Sequence, residues 1–175
     1  IMGCGNPEGA QGHNVGRKAA VLSNLPITTG GTTINRYCSS GMQSISMAAS
    51  QIMAGCYDTV IAGGAETISM MQGKQNMDNF VNERLAEKSP GIYYPMGMTA
   101  EVVAKRYNVS REAQDEYALE SQMRTAAAQQ SGAYDDEIIP METKMLLMNK
   151  ETGDSKEIDY CVEKDECNRP ETTLD

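Results

Sequence analysis

Tryptophan is missing from this 175-residue sequence, phenylalanine and histidine occur once each, and no two cysteines stand in a CxxC pair. Each scarcity removes a class of function. With His13 as the one histidine, the His and Cys spacings offer no zinc constellation, and no metal is expected. Cys4, Cys38, Cys56, Cys161 and Cys167 are an odd set with no signal peptide ahead of them, which points to a reducing compartment rather than a disulfide framework. No basic stripe interleaved with aromatics occurs, which argues against nucleic acid as a partner. No apolar run approaches the roughly 18 to 20 residues that a membrane span needs. Basic charge is also in deficit. The formal net charge is −9, and residues 135–175 carry 13 acids and 5 bases against 11 and 10 upstream. Those acids are interspersed with apolar residues, so they read as a solvated face rather than a partner-binding tail.

What is present suffices for a globular core: 40% of the residues are hydrophobic, enough for one domain or for one domain with a sizeable insertion. The 13 methionines are expected to fill much of the interior that aromatics leave empty. The chain opens at Ile1 inside an apolar run and stops at Asp175 without a terminal signature, so it reads as an internal stretch of a longer protein.

The periodicity predicts a short amphipathic helix over Asn14 to Asn24, with Val15, Ala19 and Leu22 on one side, Arg17 and Lys18 outward and Pro26 beyond the end. The Gly30-Gly31 pair breaks the chain before a β-branched stretch, Thr32 to Tyr37, that reads as a strand. From Ser39 the period becomes helical. Met42, Ile45, Ala49, Ile52 and Met53 share one face, and Gly55 sits where a C-terminal cap belongs. Thr59 to Ala62 reads as a second strand closed by Gly63-Gly64, so Thr32 to Gly64 forms a β-α-β unit with a parallel pair of strands. Between Ile68 and Met98 the pattern lapses into an inserted loop region. Helices follow at Thr99 to Tyr107 and from the N-cap Ser110 to Gln130, with Gly132 as terminator. Glu137 to Met141, Lys144 to Met148 and Lys156 to Tyr160 read as strands, the last two joined through Thr152-Gly153-Asp154.

Cys38 stands where the first of those strands hands over to the helix. The first N–H groups of a helix have no intrahelical partner and carry roughly half a positive charge, which favours an anion beside them. A thiol placed there ionises more readily, the thiolate is the nucleophile, and the same N–H groups suit an oxyanion formed at an attacked carbonyl. Ser39, Ser40 and Gly41 leave room for a close approach, although the serines serve equally as ordinary helix caps. Position alone does not separate this reading from a buried, inert cysteine.

A resemblance separates them. The run NRYCSSGMQSISMAASQIMAGCYDTVIAGGAETISM resembles the acyl-enzyme signature of the thiolases, an N-R-x-C-A/S-S-G core followed by a helix, a strand and a G-G-x-E-x-M/I-S turn. PMGMTAEVVAKR from Pro95, VSREAQDEYALESQMRTAAAQQ from Val109, Ile138-Ile139-Pro140 and Arg169-Pro170-Glu171-Thr172-Thr173-Leu174 resemble further landmarks of that family in the same order, so nearly the whole chain is covered. The resemblance implies a coenzyme-A-dependent acyltransferase with Cys38 as the acylated residue and its N–H as an oxyanion donor. Met96 would line the acyl and pantetheine pocket. Coenzyme A would be a substrate, with no further cofactor.

The family's G-H-P histidine and C-x-G cysteine do not occur in this sequence; His13 lies in GHNVG and reads as a surface or helix-start residue. The resemblance therefore implies that this stretch alone holds a nucleophile without its base and is inactive by itself. It also implies an α/β, thiolase-like fold: residues 1–69 as part of the N-terminal α/β domain, and residues 70–175 as most of an inserted loop domain. A central strand would come from upstream, and the protein would self-associate as a dimer or tetramer. Degradative 3-ketoacyl-CoA thiolysis is the leading reading, with biosynthetic acetoacetyl-CoA thiolase and a non-catalytic acyl-CoA-binding protein as alternatives. A bacterial-type cytoplasm is the expected location, with a mitochondrial or peroxisomal matrix left open.

Overall fold

A computed structural model describes residues 1–174, and Asp175, the last residue of the expected loop domain, lies outside them. The architecture is mixed α/β, as expected, and the chain divides into two compact units, Ile1–Glu83 and Arg84–Asp175.

The first unit is organised around a strand that the sequence reading does not assign. β1, Met2–Gly3, lies at the centre of a three-stranded parallel sheet with β2, Thr33–Ile34, on one side and β3, Gly63–Gly64, on the other. The expected β-α-β unit exists, but its two strands are not neighbours, because β1 separates them. Both outer strands are also shorter than expected. Met2 and Gly3 face Thr33 and Ile34 on one side and Gly63 and Gly64 on the other, and the expected strand Thr59 to Ala62 runs into β3. The nitrogen of Ile1 donates to the Ile61 carbonyl at 2.6 Å at that edge.

Helix α1, Val15–Leu22, starts at Asn14, whose side-chain oxygen accepts from Arg17 N at 3.1 Å. The same side chain donates to Gly31 O at 2.6 Å and accepts from the Thr33 hydroxyl at 2.8 Å, which fastens the helix start to β2. Arg17 does not point freely outward as expected. Its guanidinium donates to the carbonyls of Ile27 and Thr29 and braces the loop that leads to β2.

Helix α2, Ser40–Met53, packs on the sheet through Ser40, Ser44 and Ala48, all buried. Spacing of four residues puts them on one stripe. The apolar face named from the sequence is the other one, and Met42, Ile45, Ile52 and Met53 are exposed. The physical reason is distance. A Cβ built on Gly3 would lie 2.4 Å from the Ser40 carbonyl carbon, so helix and strand backbones meet too closely for a bulky side chain on either. The Ser44 hydroxyl bridges the two elements, sharing its proton between Gly41 O at 2.7 Å and Gly63 O at 2.9 Å.

Among the described residues the buried apolar ones are Cys4, Ala48 and Met71. The expectation of a methionine-filled interior is therefore corrected. Among the described residues Met71 is the one buried methionine, its thioether seated against Gly9, while Met42, Met53, Met70 and Met77 of this unit are exposed. Met71 closes a short helix, α3, Ile68–Met71.

In the second unit, α4, Glu83–Lys88, crosses the boundary, and a 3₁₀ turn, Pro90–Tyr93, leads to α5, Met96–Tyr107. α5 begins three residues before the expected start because Pro95, with its fixed φ of −61°, occupies the N-cap. Asn108 in the left-handed region (φ 54°) ends it. α6, Arg111–Gln130, follows with Ser110 accepting from Ala113 N at 3.1 Å and Gly132 (φ 72°) past its end. Strands β4, Met141–Met148, and β5, Ser155–Val162, form an antiparallel hairpin that contains two of the three expected strands. Glu137 to Pro140 is not a strand. Pro140 has no N–H to give a ladder, and pairing starts at Met141. The C-terminal landmark is tied to α6, with Arg169 N donating to the Gln122 side chain at 2.7 Å.

Candidate functional site around Cys38

The approach to Cys38 is a sharp elbow. β2 ends at Ile34, and three residues later Tyr37 takes a left-handed backbone, φ 48°, which a bulky L-residue rarely adopts. Two side chains hold it there. Asn35 Oδ1 accepts from Tyr37 N at 2.8 Å, and the Ser40 hydroxyl donates to Tyr37 O at 2.6 Å while accepting from Arg36 N at 2.9 Å. Arg36 in turn donates to Gln43 Oε1 at 2.7 Å, one turn into α2. The N–H of Ser40 also reaches Tyr37 O, at 3.0 Å. The expected strand to Tyr37 therefore gives way to a turn that delivers Cys38 one residue ahead of Ser39, the N-cap of α2.

Cys38 is exposed and carries a free thiol. It borders a surface cavity of about 360 Å³ that is also lined by Tyr37, Ser40, Gly5, Asn6 and Glu66. That volume is at the lower end of what small-molecule sites occupy. Cys4, two residues along from β1's Met2, is the opposite kind of thiol. It is 1% exposed, and burial foremost, with a contribution from the Glu66 charge, pushes its pKa up. Nucleophilic chemistry at neutral pH suits the exposed thiol and not the buried one. Cys56 and Cys167 are exposed, Cys161 is half-buried, and none of the three lines the cavity.

Glu66 lines the cavity and is bonded to Gln11, a second feature that sequence reasoning misses. The sequence marks Glu66 as a letter of the G-G-x-E turn without giving it work, and does not single out Gln11. Glu66 Oε2 accepts from Gly5 N at 2.6 Å, and Oε1 accepts from Gln11 Nε2 at 2.6 Å. Gln11, 5% exposed, also donates to Asn6 O at 2.9 Å and accepts from Thr67 N at 2.6 Å. The Gln11 hydrogen bond, aided by Gly5, holds the Glu66 carboxyl below its ordinary pKa. Nothing local in the sequence signals this cluster, because Gln11 lies 55 and 56 residues from its partners.

His13 and Met96, the other residues named from the sequence, belong to α1's start and to the second unit. His13 is exposed at φ 54°, one residue before the cap of α1, as a helix-start residue. Met96 is the first residue of α5 in the second unit and is 74% exposed. Among the described residues no group of three or more His, Cys, Asp or Glu side chains is placed to hold a metal ion, and no helix is long and apolar enough to cross a membrane.

Comparison with known proteins gives a consistent result. The family described as "Thiolase, N-terminal domain" matches residues 1–175. A 3-ketoacyl-CoA thiolase of Bacillus subtilis is 46% identical over 177 residues, covering 100% of this chain and 44% of the relative. An acetyl-CoA acetyltransferase of Chromobacterium violaceum is 41% identical over 143 residues, covering 74% of this chain and 36% of the relative. The crystal structure of human mitochondrial 3-ketoacyl-CoA thiolase in complex with CoA superposes with a TM-score of 0.75 at 29% identity, covering 99% of this chain and 43% of that one. The chain thus spans less than half the length of these relatives.

Proposed function

The chain belongs to the thiolase family, and from that premise we propose that the full protein is an acyl-CoA acyltransferase that works through an acyl-thioester on Cys38. The observation that carries the reading is the placement of an exposed thiol at the mouth of a cavity, on the elbow that opens α2.

In the degradative direction the Cys38 thiolate attacks the 3-keto carbon of a 3-ketoacyl-CoA, and the negative charge moves to the carbonyl oxygen. The C2–C3 bond then breaks, its electron pair goes to C2, and protonation there releases acetyl-CoA. A second CoA thiol, losing its proton, attacks the acyl-Cys38 thioester and frees the shortened acyl-CoA with Cys38 as thiolate. The Cys38 N–H serves as one donor to the oxyanion at each addition, where a fixed donor lowers the barrier by about 3 kcal/mol. The groups that activate the thiol and carry the C2 proton belong to sequence beyond these 175 residues, in the G-H-P and C-x-G motifs that the family supplies. Met96, on this reading, lines the acyl and pantetheine path. Coenzyme A is substrate and product, with no other cofactor, and the working protein is a dimer or tetramer.

A 41% identical acetyl-CoA acetyltransferase supports a second reading within the same chemistry, the condensation of two acetyl groups to acetoacetyl-CoA. Turnover of the full protein on a 3-ketoacyl-CoA series from four carbons upward separates the two: the degradative reading predicts activity extending to long chains, the biosynthetic one activity confined to four carbons. In both, Cys38→Ser abolishes turnover with folding retained, and an active Cys38→Ser protein contradicts both.

A further inference from the structure

The G-G-x-E turn contributes a glutamate whose side chain the acyl-transfer chemistry above does not use, and its surroundings give it a task. We infer that Glu66 is a positioning residue: its carboxylate, bonded to Gly5 directly and to Asn6 through Gln11, holds Gly5 and Asn6 as one wall of the Cys38 cavity, so that an acyl-CoA meets a preformed surface beside the thiol. The inference rests on the reading of Cys38 as nucleophile.

Glu66 is exposed, yet both of its carboxylate oxygens accept from the chain, one from Gly5 N and one from Gln11 Nε2, each at 2.6 Å. Gln11 is saturated in turn. Its two N–H groups go to Asn6 O and Glu66, and its oxygen accepts from Thr67 N. A carboxylate so engaged is an anchor rather than a proton carrier, and its lowered pKa agrees with that. The contact is also tight. A Cβ on Gly5 would lie 2.8 Å from Glu66 Oε2 and 3.5 Å from the carbonyl oxygen of Tyr37, so Gly5 is clasped between the carboxylate and the residue that precedes Cys38. Gly5, Asn6, Tyr37, Cys38 and Glu66 all line the one cavity. Freeing Glu66 loosens Gly5 and Asn6 where the substrate passes, and leaves the Asn35–Tyr37–Ser40 elbow that presents the thiol unaltered.

The test uses the full protein with Glu66→Ala, Glu66→Gln and Gln11→Leu, reading kcat and KM on a 3-ketoacyl-CoA beside the rate of Cys38 alkylation by iodoacetamide. Iodoacetamide is too small to need the wall. Glu66→Ala and Gln11→Leu are expected to lower kcat/KM at least tenfold, with KM raised, while Cys38 alkylation changes less than threefold. Glu66→Gln falls between, because one oxygen still accepts from Gly5. Two results overturn the inference: Glu66→Ala within twofold of the parent in kcat/KM, or loss of kcat/KM matched by an equal loss of alkylation rate, which marks general damage to the site. Failure of the underlying reading is distinct from either, since it leaves Cys38→Ser active.

Discussion

Asn35 holds Tyr37 in a left-handed backbone, its side-chain oxygen accepting the Tyr37 N–H at 2.8 Å, and this pair turns the end of β2 so that the next residue is Cys38. The conformation costs a non-glycine residue about 1 to 2 kcal/mol, and one hydrogen bond returns about 1 kcal/mol. Asn35→Ala should therefore destabilise the protein by about 1 kcal/mol in urea denaturation. In a Tyr37→Gly background the same change should cost less, because glycine adopts a positive φ unaided. Equal costs in the two backgrounds would show that Asn35 does not act through the Tyr37 conformation.

Gly3 meets the first turn of α2 backbone to backbone. Because a Cβ there would sit 2.4 Å from Ser40 C and 2.7 Å from Gly41 N, Gly3→Ala forces the helix off the strand at a cost of about 1 to 3 kcal/mol. Gly97→Ala in α5, where a Cβ meets nothing within 4 Å, is the control and should stabilise by up to about 1 kcal/mol. Thermal melting of both variants decides it; a neutral Gly3→Ala contradicts the close approach.

Glu66 makes the Gly5 and Gln11 contacts pH-dependent in a defined direction. Its pKa in the folded chain is lowered from 4.5, chiefly by the Gln11 hydrogen bond. The stabilisation is fully present above the unfolded value and is lost as pH falls through the lowered native one. Followed by NMR, the Gly5 amide and Gln11 side-chain resonances should shift together with a midpoint below 4.5. A midpoint above that value would mean the contacts do not favour the ionised form.

What the sequence makes legible follows from the range of the interactions. α6 is read end to end because Ser110, the helical period and Gly132 are local signals, and the hairpin is read because its turn residues are. β1 escapes because two residues carry no period, and its role as central strand depends on partners more than thirty residues away. The buried face of α2 is misjudged for a different reason. Hydrophobicity marks Met42, Ile45 and Ile52, whereas contact with Gly3, Gly63 and Gly64 selects the small residues Ser40, Ser44 and Ala48. At the candidate site, Cys38 and the small residues after it are named by the family motif, the Tyr37 turn is hidden in a β-branched run that reads as a strand although the residues holding it are local, and the Glu66–Gln11 anchor exists only once distant segments meet.

The most direct measurement is to incubate the full protein with an acyl-CoA donor, quench it in acid, and map the adduct by peptide mass spectrometry. The account predicts one acyl group on the peptide containing Cys38, lost on addition of free CoA and absent from Cys38→Ser. An acyl group on another residue, or none at Cys38 while the protein turns over, would contradict it.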